Sequence, residues 1–336
     1  MLRRNHALSE VISCPPSEIN GGPRRSRRKL FILSTLLVAT LTPALAHADE
    51  PLFGFTYMTD LLPKGKSEVE QWSTTRFTKA TGKFVLQENR TEVSYGVTDR
   101  FQLSLYNTYS SNSAYQNGPF GATTPGEPFS YDSPGPDDHY HNTAYISTDV
   151  EAIYRLLSPY MHHLGFALYS ENRAGRDFFE TENRFLFQKN FRDDRLVLAA
   201  NFTYAPELRN ERPGPLTLNE ADVNLDYGAS YRFMKNWSVG SELLNEREFN
   251  SWTFWKNEIN DAYFVGPDIH YGGEHLFATG TFVEQMPWAT THSATVPGAV
   301  VGGRDFDNDF EKYRVRVKVG WYFSGGPNSW FRRGRK

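Results

Sequence analysis

Cysteine is almost missing from this sequence: its 336 residues include one, Cys14. That residue lies in a segment predicted to be removed on export, so no disulfide, thiolate metal site or cysteine nucleophile is expected in the mature chain. No cysteine follows the N-terminal apolar run either, which excludes a lipid anchor there. Long hydrophobic runs are also scarce. The run Leu30–Leu41 is too short to cross a bilayer as a helix. With 39% hydrophobic and 22% charged residues the chain is too polar for a bundle of membrane helices, and with 15% aromatic residues it is too aromatic for disorder. A basic excess is absent as well. Removing residues 1–48 leaves 29 Lys and Arg against 37 Asp and Glu, a net charge of −8, which disfavours a nucleic-acid partner.

The N-terminus carries export chemistry. Arg24, Arg25, Arg27, Arg28 and Lys29 precede the apolar run, and Ala44-Leu45-Ala46-His47-Ala48 follows it. This order of basic, apolar and small residues predicts a signal peptide cleaved after Ala48. The Arg27-Arg28 pair resembles a twin-arginine signal, but that route carries folded cargo, so it is read as an ordinary basic region. Residues 1–23 are a polar extension preceding it.

From residue 67 onward the pattern has a period of two. Between Phe84 and Tyr109, Leu86, Glu88, Arg90, Glu92 and Ser94 share one face, and Phe101, Leu103 and Leu105 alternate with Gln102, Ser104 and Tyr106 after the turn at Asp99. A period of two predicts strands, and a charged face on strands of about ten residues suits a membrane barrel. Further strands are predicted at Ser67–Phe77, Thr143–Leu156, Leu164–Arg173, Thr181–Asn190, Leu196–Tyr204, Asn219–Phe233, Trp237–Glu248, Ala262–Tyr271, His275–Gln285 and Asp309–Phe323. The count is about twelve. Short joins near Asp99, Pro159, Asp193, Lys235 and Gly273 alternate with long ones at 110–142, 205–218, 250–261 and 286–308, as periplasmic turns and outer loops do. The expected fold is all-β: a single transmembrane antiparallel up-and-down barrel of outer-membrane type over residues 67–323. Residues 49–66 are expected as a periplasmic or lumen segment and 324–336 as a basic periplasmic tail. Tyr95, Phe101, Phe233, Trp237, Trp321 and Phe323 mark an aromatic girdle at the periplasmic side.

Several stretches carry a family likeness. Leu62–Lys66, Glu68–Trp72, Glu92–Tyr106, Glu151–Arg155, Leu157–Pro159 and Gln188–Asn201 together resemble an uncharacterised family of Gram-negative outer-membrane barrel proteins, some loosely described as transporters. The resemblance implies the fold and an outer-membrane location. It carries no established activity and no catalytic residues.

Residue types that do chemistry are few and poorly placed. His292-Ser293 are adjacent on an extended loop and point apart, against what a hydrolase triad needs. Asp137-Asp138-His139-Tyr140-His141 could offer a rim acid and base or metal ligands, but reads more simply as a polar loop tip. Asp305, Asp307 and Asp309 start like a calcium loop, yet Phe310 stands at the required glycine and Arg316 at the required glutamate. No cofactor, metal site or catalytic set is predicted. The predicted site is the lumen wall: Glu88, Arg90, Glu92, Asp149, Glu151, Arg155, Glu182, Arg184, Glu220, Asp222, Asp226, Arg232, Glu242, Arg314, Arg316 and Lys318, with Glu171, Arg173, Glu246, Asp268 and Glu284 assigned to the same face by alternation. Glu68 and Glu70 on the first strand are expected to meet Lys318 of the last across the closing seam. Interleaved charges fit a lumen filled by paired side chains or a narrow pore. The expected function is a narrow passive channel or small-solute transporter, with an outer-rim lipid or peptide hydrolase and a non-conducting structural or adhesion barrel as alternatives. Hydrolysis lost on substituting His139 or His141 would favour the hydrolase. Expected partners are outer-membrane lipid and lipopolysaccharide, the barrel-assembly machinery, and small solutes or ions.

Overall fold

The computed structural model describes residues 51–130, 132–210, 217–254, 257–290, 299–301 and 304–323. The predicted signal segment, the basic tail and His292-Ser293 lie outside the described residues. The strands in chain order are β1 (Ser67–Phe77), β2 (Lys83–Thr98), β3 (Phe101–Tyr115), β4 (Tyr140–Leu157), β5 (Gly165–Gly175), β6 (Phe178–Phe191), β7 (Leu196–Asn210), β8 (Thr217–Met234), β9 (Trp237–Phe249), β10 (Glu258–Gly272), β11 (Leu276–Met286), β12 (Ala299–Val301), β13 (Arg304–Phe306) and β14 (Tyr313–Tyr322). All except β12 and β13, which pair with each other as a small hairpin, form one closed barrel of twelve strands with sequential neighbours. Closure is by β1 against β14, antiparallel from Glu68 opposite Tyr322 to Phe77 opposite Tyr313. Among the described residues no helix is long and apolar enough to cross a membrane, and a barrel crosses with strands instead.

Alternation puts each side chain where the period of two directs it. On β3, Gln102, Ser104, Tyr106 and Thr108 are buried inside while Leu103 and Leu105 face out. Tyr95, Phe233, Trp237, Trp321 and Phe323 are likewise exposed on the outer surface near the short-turn end. β4 and β8 each run to 18 residues, well beyond the ~10 a membrane strand needs, so the wall extends past the bilayer at the long-loop end.

Three expectations need correction. Residues 110–115, 140–142, 205–210, 217–218 and 258–261, expected in long joins, continue the strands as paired ladders; pairing outweighs local propensity there, even at Pro206. β14 begins at Tyr313, because residues 309–311 fold into the rim, where Gln285 Nε2 donates to Asp307 and Glu311 carbonyls. Glu284 is on the outward face: Phe277, Thr279, Thr281 and Val283 take the inward one. The apolar Phe277 and Val283 face inward because something apolar lies inside.

That something is residues 51–62. The segment enters the lumen at the short-turn end, rises to an apex near Phe55–Tyr57 and descends to Leu62 before β1 begins. Pro51 O accepts from Thr279 Oγ1 at 2.6 Å, three residues into β11. On the way out, Leu62 N donates to Gln102 Oε1 at 2.8 Å, one residue into β3. Among the described residues, four of five apolar clusters are built on this segment: Leu52, Phe53 and Met58 with Val197 and Ala199; Phe55 with Leu244, Ala262, Phe264 and Val283; Leu61 with Ile153, Ala167, Tyr169 and Leu186; Leu62 with Phe277 and Tyr322. Small residues allow the approach. A Cβ on Gly54 would lie 2.5 Å from Thr281 Oγ1, and one on Gly228 would lie 2.7 Å from the Phe53 ring.

Candidate functional site

The lumen holds two inserted elements with space between them. The lower is the plug of residues 51–62, whose main chain is caught by polar side chains of the wall. Glu242, five residues into β9 and 1% exposed, accepts from the N–H groups of Gly54, Phe55 and Thr56 at 2.8, 2.9 and 2.7 Å. Three converging N–H groups around one carboxylate make a small anion nest, with the charge on the barrel rather than on the plug. Asn201 binds Tyr57 in both directions, accepting from its N–H at 2.7 Å and donating to its carbonyl at 2.9 Å. Gln188 Oε1 accepts from Thr59 N at 2.8 Å and Thr59 Oγ1 at 2.9 Å. An unpaired main chain inside a barrel would be costly, and these hooks satisfy it without adding a strand.

Asp60 closes the lower end. Its carboxylate accepts from Gln188 Nε2 at 2.8 Å and Tyr160 Oη at 3.1 Å, and Arg155 lies 3.9 Å away. Burial raises its pKa to about 6, outweighing these stabilising partners. Burial also lifts Tyr57 well above the usual phenol value, so it is a neutral donor at the plug apex.

The upper insert is the β3–β4 connection. Phe129 packs with Phe84, Leu86, Ala114 and Ile146 inside the barrel. Glu127 forms a two-pronged ion pair with Arg209 of β7, one prong at 3.0 Å. Burial pulls the Glu127 pKa upward, but Arg209 prevails and holds it below the usual carboxylate range.

Between the two inserts lies a chamber of about 250 Å³, walled by Phe55, Tyr57, Trp72 and charged side chains and roofed by Glu127 and Pro128. A second cavity of about 270 Å³ lies toward the long-loop end and shares Glu127, Glu207, Arg209, Asp222 and Glu248 with it.

All sixteen residues predicted for the lumen wall are on the inward face, and half of them are drawn into ion pairs among the described residues. Arg90 reaches Asp149 at 2.9 Å and Glu171 at 2.7 Å while lying over the Tyr106 and Trp72 rings. Arg184 pairs with Glu182 at 2.5 Å and faces Asp226 at 3.7 Å, over Tyr57. Arg314 binds Glu246 at 2.5 and 2.9 Å and also Glu311. Glu151 accepts from Tyr106 Oη at 2.5 Å and Ser104 Oγ at 3.1 Å, and Glu92 accepts from Ser94 Oγ at 2.5 Å. Arg155 Nη2 donates to Asp99 O at 2.6 Å and Arg232 Nη2 to Asp194 O at 2.5 Å, both at the short-turn end. Glu220 stands 3.8 Å from Arg209. Glu88 lies in the field of Arg76, Arg173, Arg90 and Arg316.

At the seam the residue directly opposite Lys318 is Trp72, whose ring lies 3.8 Å from the ammonium. Glu70 is opposite Gly320 and Glu68 opposite Tyr322, so the acidic pair sits diagonally below Lys318 on the same inward face. Arg316 donates to Thr74 Oγ1 at 2.8 Å and to Gly54 O at 3.1 Å, and stacks over Phe55.

His139 stacks on Tyr115 with ring centroids 3.8 Å apart. His141 is the cross-strand neighbour of Ser113 on the outward face. Among the described residues no group of three or more His, Cys, Asp or Glu is placed to hold a metal ion.

The residues missed at the sequence level include the plug hooks Gln102, Gln188 and Asn201 and the chamber charges Arg76 and Glu248. Each occupies an inward position and looks like any other polar or charged wall residue, and in the plug itself Phe53, Phe55 and Tyr57 alternate in sequence as an apolar face does.

This architecture defines an outer-membrane-type β-barrel with a polar interior and an internal plug. The chain belongs to a family of unknown function, DUF6662, which matches residues 45–323. No curated protein is significantly similar. Among solved structures, the barrel is similar to an outer-membrane channel from Pseudomonas putida F1, at 10% identity over 79% of this chain and 98% of that one, with a TM-score of 0.51. It also matches the NanC porin, at 10% identity over 75% and 98% of the two chains with a TM-score of 0.46. The translocator domain of the autotransporter NalP from Neisseria meningitidis matches at 10% identity over 88% and 97%, with a TM-score of 0.43.

Proposed function

We propose that the protein is a narrow passive outer-membrane channel for small solutes, closed in this conformation by its own N-terminal segment. The observation that carries this reading is the polar, charged chamber left between the plug and the outer insert, joined to a second cavity toward the long-loop end. A barrel serving only as a scaffold has no need of such space. The plug is held by side-chain hooks and apolar contacts and not by strand pairing, so it can leave while the barrel ladder stays intact. In this reading the outer surface meets lipid and lipopolysaccharide, the barrel-assembly machinery inserts the chain, and small solutes or ions pass through the lumen.

The plug itself favours a second reading, a non-conducting structural barrel, because it fills the periplasmic half with apolar side chains. Planar-bilayer recording separates the two. Refolded protein from residue 49 is expected to give brief conductance steps, and a variant lacking residues 49–61 a steady, larger one. If both are electrically silent, the channel reading fails.

A further inference from the structure

The chamber is electrically lopsided. Arg76 on β1 and Arg316 on β14 line it together with Glu88 of β2, and among the described residues neither arginine is within ion-pair distance of a carboxylate; Arg76 Nε is buried without a hydrogen-bond partner. Arg316 is held against the Phe55 and Trp72 rings by its bonds to Thr74 and Gly54, so its guanidinium is fixed in place. Along the ring of strands, a third of the way round, the wall carries the opposite sign. Asp222 of β8 and Glu248 of β9 are direct cross-strand neighbours lining the same chamber. The charges acting most strongly on Asp222 are Glu248, Glu180, Glu127 and Glu207, all acidic. Glu88 of β2 lies in the field of both arginines and balances one of the two charges, so this side of the chamber keeps a net positive charge, while Asp222 and Glu248 on the far strands give the other side a negative one.

Resting on the channel reading above, we propose that this chamber is a binding site for small zwitterionic solutes, whose carboxylate is taken by Arg76 and Arg316 and whose ammonium is taken by Asp222 and Glu248. A volume of about 250 Å³ is below that of pockets for drug-sized ligands and suits a solute of a few heavy atoms. Guanidinium groups stacked on aromatic rings are suited to bind a planar carboxylate, and paired carboxylates facing one another gain from a cation placed between them. A solute with one charge satisfies half of the site and leaves the other half unmatched.

The test is calorimetric titration of the refolded protein from residue 49, in detergent at pH 7 and low salt, with 4-aminobutyrate, butyrate and butylamine. The expected result is that 4-aminobutyrate binds at least about tenfold more tightly than either single-charge analogue, because each end contributes charge-assisted hydrogen bonds. Arg316→Gln and Asp222→Asn should each abolish that preference, in protein whose barrel is verified by heat-modifiable migration. Equal binding of butyrate or butylamine, an unchanged preference in Asp222→Asn, or no binding by any probe would overturn the proposal. Binding with electrically silent barrels would sink the channel reading alone, and conduction without binding would sink the zwitterion site alone.

Discussion

Replacing Glu242 by glutamine keeps the shape of the side chain and should loosen the plug. Its Oε1 accepts from Gly54, and its Oε2 from Phe55 and Thr56. Glutamine offers one acceptor end and one donor end. Whichever way the amide turns, its NH2 confronts at least one main-chain N–H, and the surviving bonds lose the charge that roughly doubles their strength. Bonds to charged groups contribute about 1.5 to 3 kcal/mol each, and water recovers part of the loss, so the docked plug should weaken by about 3 kcal/mol. That is about a hundredfold in the equilibrium between docked and undocked plug. The readout uses the scarcity of cysteine: with Cys14 the only one in the chain, a protein starting at residue 49 and carrying Thr56→Cys has a single thiol, at a site 4% exposed near the plug apex. A water-soluble maleimide then labels it at a rate set by opening of the plug. Glu242→Gln should accelerate labelling about a hundredfold and lengthen channel openings in parallel. Labelling within a factor of about three of the parent, in correctly folded protein, would refute the assignment of Glu242 as the principal hook.

The plug should also respond to pH through Asp60, whose pKa is raised by burial to about 6 in the docked state. The docked form therefore holds the proton more tightly, and this contribution is fully present below about pH 4 and is lost as pH rises through 6, amounting to about 3 kcal/mol. Open probability should rise between pH 5 and 7, and Asp60→Asn should flatten the rise; a fall over that range would contradict it. Lys318→Glu sets a carboxylate over Trp72 near Glu70 and Glu92 and should impair assembly, read as loss of heat-modifiable migration, with Glu70→Lys restoring part of it; assembly at the parental level would show that the seam does not depend on this cation. Once the plug is removed, the acidic excess of the mature chain should give a mild preference for cations, and clear anion selectivity would show that Arg76 and Arg316 govern the constriction.

The barrel was legible because its two faces have opposite chemistry, so one residue type in two reveals the register. β1 shows this: Ser67–Phe77 agrees at both ends with the strand expected from alternation. Where the interior turns apolar the signal reverses, and Glu284 was assigned inward for that reason. Phe277 and Val283 look like lipid-facing residues until Leu62 and Phe55 are found against them. Of the chamber's charges, Asp222 and Arg316 were expected on the lumen wall, whereas Arg76 and Glu248 were not, and their grouping was not legible. Nothing in the spacing of Arg76, Asp222, Glu248 and Arg316 distinguishes these residues from the neighbouring charges that pair off; that distinction depends on the lateral stagger of strands far apart in sequence. The hooks were hidden for the same reason, since Glu242 lies 188 positions from the Gly54 N–H it receives.

The path of the plug has a topological consequence. Pro51 is fastened to β11 and Leu62 to β3, both close to the short-turn rim, while the apex reaches up to Phe55. The segment is therefore a bight, like a doubled rope pushed into a pipe, and not a thread passing through it. A thread must be drawn past its whole length and needs a free end, whereas a bight slips out on the side from which it came. Barrel closure can thus precede insertion of the plug, and on the channel reading, opening requires no chain terminus to cross the membrane.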